Sequence, residues 1–444
     1  MSYLKRNIDK DLQEWKNSVN RKPLLLRGAR QVGKSSAVRE LGQQFEFFVE
    51  INFENKDHAS AKKIFEAHSN PKIITDELSV MFEKPIVSGK TLLFLDEIQS
   101  CPEAISALRY FYEQMPELHV IAAGSLLEFA LQKIPSFGVG RIRSMYMYPF
   151  SFEEFLQALG RTMLLEKLQL ANPQNPLSEE LHKQLKEIFL RFIAIGGMPE
   201  VVAKYATDGS LLDCQNILDE LIETLFNDFS KYKQQVPVTR LEEVFSAIIA
   251  QTGQKFTYSA AATSANQVQI KESIELLKMA GLVYSATHTS ANGLPLGAET
   301  NSRYRKLMLL DTGIYQRFLR LNLANLLLDE KIEQINKGAL AEMFVGTELV
   351  KVQNNRLPAD LYYWQREKGG STAEVDYVIQ IGQNIIPVEV KAGTKGAMQS
   401  MFLFLAEKQR PYGIRCSMEN FGEFQNIKIY PLYAVANFQK IETL

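Results

Sequence analysis

The chain has 444 residues, of which 46% are hydrophobic and 23% are charged, a globular composition that is too long for a single core. Its formal net charge of −1 excludes a chain that is basic throughout, so any surface for nucleic acid must be local. The three cysteines form no C-x-x-C pair, which excludes a zinc ribbon. No apolar run approaches the roughly 20 residues that cross a bilayer. The start lacks an apolar stretch of signal-peptide length, so we expect a cytoplasmic protein without a membrane partner.

The first motif lies in residues 23–41, PLLLRGARQVGKSSAVREL. An apolar run predicts a buried strand, the pattern G-x-x-x-x-G-K-S follows it, and a helical pattern comes next, which is the order of a P-loop. The predicted ATP-binding residues are Gly28, Ala29, Arg30, Gln31, Val32, Gly33, Lys34, Ser35 and Ser36. Within this loop Lys34 would contact the β- and γ-phosphates, and Ser35 would be a ligand of Mg²⁺.

A second motif, TLLFLDEIQ, supports the first. It predicts a buried strand over residues 92–95 that ends in Asp96 and Glu97. Asp96 would complete the Mg²⁺ site, and Glu97 would be catalytic because it would orient and polarise the attacking water. A core strand that ends in an acidic turn is the alternative, but the order of the two motifs favours nucleotide binding and hydrolysis.

Two further positions are candidates for contact with the nucleotide. The strand HVIAAGS ends at Ser125, which would sense the γ-phosphate or serve only as a turn residue. In GVGRIRSMYMYPF we favour Arg141 over Arg143 as a catalytic arginine finger, because a glycine precedes it and an apolar strand follows. A surface salt bridge is the alternative for Arg141. A finger acting on a neighbouring subunit would imply a homo-oligomer.

The motifs RGARQVGKS, LLFLDEIQ, GSLL, GRIRSMYMYPFSFEEF and IGGMPEVV together resemble the bacterial and archaeal AAA+-type ATPases that carry a carboxy-terminal DUF4143 region. The resemblance implies an α/β fold whose first part is an AAA+-like P-loop NTPase domain with a parallel sheet and an additional strand. A helical lid, a winged-helix domain and a restriction-endonuclease-like α/β domain would follow. The expected domains are residues 1–150, 151–235, 236–320 and 321–444.

The expected winged helix has two candidate surfaces for DNA. Its second helix carries two lysines and two glutamates, a local charge of zero, so packing against the ATPase core is favoured over groove binding. The stretch 301–320 is more basic and is the better candidate for contact with phosphates, with a solvated face as the alternative. Against the single Asp311, its basic residues are Arg303, Arg305, Lys306, Arg317 and Arg320.

Near the end, EVDYVIQIGQNIIPVEVKAG predicts a β-hairpin. A type II′ turn at residues 382–383 would place Asp376 directly opposite Glu389, with their Cβ atoms about 5 Å apart. Lys391 would share the face of Glu389. Opposed carboxylates are unfavourable in a strand pair unless a cation or a proton reconciles them.

The DUF4143 resemblance includes the PD-(D/E)xK nuclease order. It implies Mg²⁺, or Mn²⁺ in its place, held by Asp376 and Glu389 with help from Glu342, and Lys391 as a catalytic residue that steadies the attacking water. Val375 stands where the usual signature has proline. An exposed charge pair with a solvated Asp376 is the alternative.

These sites lead to two hypotheses. The first is an ATP- and Mg²⁺-dependent ATPase coupled to a nuclease-like domain that acts on nucleic acid, with DNA favoured as the partner. The second is a nucleotide-dependent switch whose carboxy-terminal module binds DNA or a protein without cleavage. The intact carboxylate–lysine set favours the first, and the balanced charge of the winged helix favours the second.

Overall fold

The computed structural model describes residues 3–125, 127–132, 140–230, 236–261, 265–323, 337–366, 373–393, 396 and 398–443. Contacts divide the chain into two units. The amino-terminal unit comprises Met1–Pro149, Met279–Gly281 and Asn354–Pro358, and the carboxy-terminal unit comprises Phe150–Lys278, Leu282–Gln353 and Ala359–Leu444.

Five parallel strands form the sheet of the amino-terminal unit, in the order β2-β3-β4-β1-β5. The strands are β1 (Leu24–Arg27), β2 (Phe47–Asn52), β3 (Thr91–Asp96), β4 (His119–Ala123) and β5 (Arg143–Tyr146). The residues of β3 and β4 are all buried, as expected for parallel strands that helices cover on both faces. Because β4 lies between β1 and β3, the sheet has the additional strand that the resemblance implied.

The helices of this unit alternate with its strands. They are α1 (Ile8–Asn17), α2 (Lys34–Gly42), α3 (Ala59–Ala67), α4 (Pro71–Met81), α5 (Pro102–Gln114) and α6 (Leu127–Gln132). α2 starts directly after the glycine-rich loop, and Asn70 caps α4 by accepting a hydrogen bond from the Lys72 N–H. The predicted strand–loop–helix order of the P-loop is therefore present.

The carboxy-terminal unit begins with helices, as the apolar spacing of residues 151–235 predicted. Its helices are α7 (Phe152–Ala158), α8 (Thr162–Leu170), α9 (Glu179–Ile195), α10 (Pro199–Asp208), α11 (Leu211–Phe229), α12 (Val238–Ala250), α13 (Gln267–Met279), α14 (Thr312–Phe318), α15 (Lys337–Lys351) and α16 (Gln399–Lys408). Among the described residues, none of these or of the preceding helices combines the length and apolar sequence required to span a membrane.

The glycine pair between α9 and α10 makes room for a buried carboxylate. A Cβ on Gly196 would lie 2.1 Å from Oδ1 of Asp311. The N–H of Gly197 donates a hydrogen bond of 2.6 Å to Oδ2 of the same side chain. The break that the sequence shows at IGGMPE is therefore required by close packing against Asp311.

An eight-stranded mixed sheet forms the rest of the carboxy-terminal unit, in the order β12-β13-β11-β10-β9-β8-β6-β7. The strands are β6 (Val283–Thr289), β7 (Thr300–Leu309), β8 (Leu361–Gln365), β9 (Glu374–Ile381), β10 (Asn384–Val390), β11 (Gly413–Ser417), β12 (Gly422–Phe424) and β13 (Ile427–Pro431). β6 and β7 pair antiparallel, as expected for wing strands, but β6 also pairs in parallel with β8.

This continuous sheet differs from the four predicted domains. Contacts place the residues on both sides of the predicted boundaries at 235 and 320 in the same unit, and the β6–β8 pairing joins the strands on the two sides of residue 320 in one sheet. The predicted helix–turn–helix also differs: residues 258–260 form only a short 3₁₀ turn before α13. Residues 262–264 of that prediction lie outside the described residues.

The hairpin β9–β10 has the predicted register. Val388 lies opposite Tyr377 and Ile386 lies opposite Ile379, so the next pair outward is Glu389 with Asp376. The turn glycine, Gly382, has a φ of 54°, as the first central residue of a type II′ turn requires.

Candidate functional site

The glycine-rich loop between β1 and α2 is held in a shape that only glycine permits at two positions. Gly28 has a φ of 140°, and a Cβ there would lie 2.1 Å from the carbonyl oxygen of Met147. Gly33, the residue before α2, has a φ of 96°. The loop therefore curls tightly into the start of the helix, where main-chain N–H groups attract anions.

Lys34 is buried inside this loop. Its Nζ donates hydrogen bonds of 2.9 and 2.7 Å to the carbonyl oxygens of Gly28 and Ala29. Burial lowers the pKa of Lys34 to about 8. A phosphate would be a stronger partner than a carbonyl for this ammonium group, because hydrogen bonds between charged groups are the stronger ones.

Ser35 and Asp96 meet at the carboxyl end of β3. Ser35 Oγ donates a hydrogen bond of 2.9 Å to Asp96 Oδ2, and Asn52 at the end of β2 donates to the same oxygen at 3.4 Å. Burial raises the pKa of Asp96. A hydroxyl and a carboxylate at this position are oxygen donors of the kind Mg²⁺ prefers, so the residues fit the ion.

Glu97 follows Asp96 in a left-handed conformation, with a φ of 48°. Its Oε2 accepts a hydrogen bond of 2.6 Å from Gln99 Nε2 and lies 3.4 Å from both the N and the Oγ of Ser125. Gln99 Oε1 is buried without a hydrogen-bond partner among the described residues. The structure thus brings Glu97 and Ser125 together, with Gln99 bound to the same carboxylate oxygen.

Sequence reasoning did not identify three residues that support this site. Asn52 and Gln99 contact the carboxylates described above, and Arg6 is buried and donates to the carbonyl oxygens of Val32 (3.1 Å) and Tyr148 (2.7 Å). Gln99 lies within the quoted EIQ motif, whereas Asn52 and Arg6 carry no local signal. The pairing of β2 with β3 brings Asn52 beside Asp96.

Arg141 lies in a surface ion pair. Its Nε is 2.5 Å from Oε1 of Glu113 on α5, and 40% of its side chain is exposed. Arg109, one helical turn before Glu113, shares the same oxygen at 3.0 Å. This is the arrangement that the sequence analysis gave as the alternative to an arginine finger.

In the carboxy-terminal unit, Lys306 lies at the centre of a group of carboxylates. Its Nζ is 2.8 Å from Glu342 Oε1, 2.5 Å from Glu374 Oε1 and 3.6 Å from Asp376 Oδ1. The Lys306 side chain is only 1% exposed. Burial alone would lower the pKa of Lys306, but the carboxylates hold it well above its usual value.

The other side of this cluster is formed by Glu389 and Lys391. Lys391 Nζ lies 2.6 Å from Glu389 Oε1, and Glu389 Oε2 is buried without a hydrogen-bond partner among the described residues. Asp376 Oδ2 accepts a hydrogen bond of 2.8 Å from the N–H of Val390. Burial, and after it the charge of Asp376, raises the pKa of Glu389 to about 7.

As they lie, these residues do not fit a divalent ion. Among the described residues, no three His, Cys, Asp or Glu side chains are arranged to hold a metal ion together. The Lys306 ammonium contacts oxygens of Glu342 and Asp376, which were two of the three predicted ligands. The cation that lies against these two carboxylates is thus a lysine from β7.

Most of the basic residues in the stretch 301–320 form ion pairs within the carboxy-terminal unit. Arg305 pairs with Glu275 at 2.9 Å, Arg317 pairs with Asp219 at 2.8 Å, and Lys306 is buried among carboxylates. Three of the five basic residues of this stretch are therefore held by carboxylates of the same unit. Local net charge does not distinguish a buried cation, a paired cation on the surface and an unpaired cation from one another.

Comparison with known families is consistent with the two-part organisation. Residues 20–156 match a model described as an AAA domain, residues 186–325 match the domain of unknown function DUF8612, and residues 337–435 match the domain of unknown function DUF4143. The chain therefore carries an AAA-type P-loop ATPase domain followed by a DUF4143 region. The DUF8612 match spans the predicted boundary at residue 235.

Two of the solved structures to which the chain is similar come from archaea. A Walker-type ATPase of Pyrococcus abyssi is 17% identical over 72% of this chain and 96% of its own, with a TM-score of 0.45. The ORC1 protein of Aeropyrum pernix, in complex with DNA, is 15% identical over 73% and 91%, with a TM-score of 0.27. No curated protein matches the chain. Similarities this low carry no argument about function.

The first prediction concerns Lys34. Lys34→Ala should weaken ATP binding about 10- to 100-fold, because hydrogen bonds to charged groups contribute about 1.5–3 kcal/mol. Isothermal titration calorimetry measures the change, and Arg39→Ala on the same helix, whose side chain pairs with Glu50, is the matched control. An unchanged affinity in the Lys34 variant would exclude the loop as the phosphate site.

The second prediction concerns Arg141. If it acts as a finger on a neighbouring subunit, Arg141→Ala should reduce hydrolysis by about 1,000-fold or more while ATP affinity stays near that of the parent. The rate per subunit should also rise with protein concentration. Glu113→Gln is the control, since it releases Arg141 from its ion pair without removing it. A rate that Arg141→Ala leaves unchanged would mean that the ion pair is only structural.

Proposed function

We propose that this chain binds and hydrolyses ATP in its amino-terminal unit and couples that cycle to the binding of nucleic acid, with DNA favoured, by its carboxy-terminal unit. The observation that carries the proposal is the grouping of Lys34, Ser35, Asp96 and Glu97 at one edge of the parallel sheet. This is the set of charges that phosphoryl transfer to water requires.

Each residue of the nucleotide site has a role that follows from its position. Loop N–H groups and Lys34 bind the phosphates, and Ser35 and Asp96 would hold Mg²⁺, which when bound neutralises phosphate charge. Glu97 orients the attacking water and accepts its proton. The hydrogen bond from Gln99 restrains the Glu97 carboxylate in the absence of nucleotide.

Ser125 gives this site a way to respond to the γ-phosphate. In the structure its hydroxyl lies within hydrogen-bond distance of Glu97. A γ-phosphate would compete for that hydroxyl and release the carboxylate for the water. The nucleotide state would then alter the contacts at the ends of β3 and β4, and such a change is what a switch must transmit.

For the carboxy-terminal unit, binding of nucleic acid without metal-dependent cleavage is the better-supported function. The Lys306 ammonium already lies against Glu342 and Asp376, two of the carboxylates that a divalent ion would need. An ion could enter only if this buried ammonium left its partners, and breaking a buried ion pair costs about 3–5 kcal/mol. We therefore derive no catalytic step through a metal here.

Metal-dependent cleavage is the second candidate, and one observation favours it. Glu342, Glu374, Asp376 and Glu389 face only two ammonium groups, so negative charge is in excess. Burial, opposed by Lys306, raises the pKa of Glu342 to about 8, as expected where negative charge is in excess.

The third prediction tests the coupling between ATP and nucleic acid. A Glu97→Gln variant should bind ATP and hydrolyse it about 100-fold more slowly, since it lacks the general base. Its affinity for a labelled DNA oligonucleotide should differ at least about 5-fold between the ATP- and ADP-bound forms, and DNA should change ATP affinity by the same factor. Lys34→Ala is the control that should lose this response. Equal DNA affinities in the two nucleotide states would refute a switch.

The fourth prediction tests the cluster. Lys306→Met should lower the free energy of unfolding by about 3–5 kcal/mol, because it leaves buried carboxylates unpaired. Mn²⁺ without nucleotide should then raise the melting temperature of this variant and not that of the parent. Lys278→Met, which removes a surface lysine paired with Glu275, is the control. A parent that cleaves DNA with Mn²⁺, and loses this activity with Asp376→Asn, would establish the second candidate instead.

A further inference from the structure

A cleft of about 600 Å³ opens between the segment 255–259, the first turns of α13 and strand β7. Its volume is within the range of about 300–1,000 Å³ that small-ligand pockets occupy. The nine described residues that line it include three cations and three aromatic side chains, and none of the nine is acidic. The cations are Lys255, Lys271 and Arg303.

The three cations have no carboxylate partner among the described residues. This distinguishes them from their neighbours, since Arg305 and Lys278 both pair with Glu275 at 2.9 Å. The carboxylate of Glu275 on α13 is thus shared between two other cations. A local charge of +3 remains around the cleft. The repulsion between these cations is unfavourable, and a bound anion would offset it.

The walls that carry these cations are held by main-chain contacts. The N–H of Phe256 donates a hydrogen bond of 2.8 Å to the carbonyl oxygen of Arg305, which fixes the segment 255–259 along β7. Gln251 Oε1 accepts a hydrogen bond of 2.7 Å from the Thr257 N–H. The cleft is therefore a formed site and not a set of lysines on a mobile surface.

Two tyrosines position the lysine ammonium groups. Lys255 Nζ lies 3.6 Å from the ring centroid of Tyr304, and Lys271 Nζ lies 5.7 Å from that of Tyr258. Cation–π attraction holds each ammonium at the wall of the cleft. The Tyr258 hydroxyl is buried without a hydrogen-bond partner among the described residues, so an oxygen-rich ligand in the cleft would supply one.

We propose that this cleft binds the phosphate groups of a nucleic-acid strand. The inference rests on the proposed function, which assigns nucleic acid to the carboxy-terminal unit, and it identifies the contact surface within that unit. Cations interleaved with aromatic rings are the combination that proteins use along a nucleic-acid strand. Free phosphate or a mononucleotide shares this chemistry, but only a strand extends beyond the cleft to additional contacts.

The test compares the full-length parent with the triple variant Lys255→Gln, Lys271→Gln, Arg303→Gln, by fluorescence anisotropy with a labelled single-stranded DNA oligonucleotide. The variant should bind at least about 10-fold more weakly at low salt. Because each phosphate contact on a single strand contributes about −0.7 to the slope of log K against log[salt], the slope should flatten by about 2.

A matched variant controls for net charge. The control is the triple variant Lys167→Gln, Lys183→Gln, Arg191→Gln. It also removes two lysines and one arginine, but from exposed positions on α8 and α9, outside the cleft. It should keep the slope of the parent. ATP affinity and melting temperature of all variants should match the parent, since the three cleft cations have no internal ion pair to lose.

The outcomes separate this inference from the proposed function. If the parent binds DNA and the triple variant binds with the same affinity and slope, the cleft is not the contact surface although the unit binds nucleic acid. If a mononucleotide competes as well as an oligonucleotide does, the site is for a free nucleotide and the strand is excluded. If the parent binds no nucleic acid, both proposals fail.

Discussion

The Lys306 ammonium is the interaction on which the carboxy-terminal unit depends. Removing such an ion from water costs several kcal/mol, and only close opposite charges offset that cost. The carboxylates that do so come from α15 (Glu342) and β9 (Glu374 and Asp376), while Lys306 itself is on β7. Three elements that are distant in sequence must therefore meet at hydrogen-bond distances. The hydroxyl of Tyr377 adds a contact of 2.9 Å to the Glu342 carbonyl oxygen.

The two lysines that are buried among the described residues have opposite environments. Lys34 rests on neutral carbonyl oxygens, and burial lowers its pKa to about 8. Lys306 rests on carboxylates, which hold its pKa above the usual value. A carbonyl partner is exchanged readily for phosphate, whereas a carboxylate partner in a buried site is not. The same type of side chain thus has partners that a phosphate can replace in one unit and is a structural cation in the other.

Sequence reasoning succeeded where the determining contacts are local. The P-loop needs only a strand, two glycines and a helix in succession, and the hairpin register needs only the turn at Gly382. Both predictions are confirmed at the level of backbone structure. The additional strand β4 followed from the family resemblance rather than from any spacing of residues.

Sequence reasoning failed where contacts between residues far apart in sequence determine the structure. The parallel pairing of β6 with β8, which removes the predicted boundary at residue 320, joins strands separated by more than one helix. The role of Lys306 depends on Glu342 and Glu374, and no residue close to Lys306 in the sequence indicates that role. A sum of local charges cannot show this role, since a buried, paired lysine and an exposed one contribute equally to it.

The distribution of partners, rather than the number of charges, therefore decides where this protein can bind an anion. Within residues 301–320 the ion pairs of Arg305, Lys306 and Arg317 leave Arg303 with no carboxylate partner among the described residues. Lys255 and Lys271, which belong to other elements, line the same cleft as Arg303. The cleft therefore brings together three cations that have no carboxylate partner among the described residues. A protein with a net charge of −1 can in this way present a basic site. The fold neutralises cations by pairing them, and the cations without partners define the surface on which a phosphate gains most.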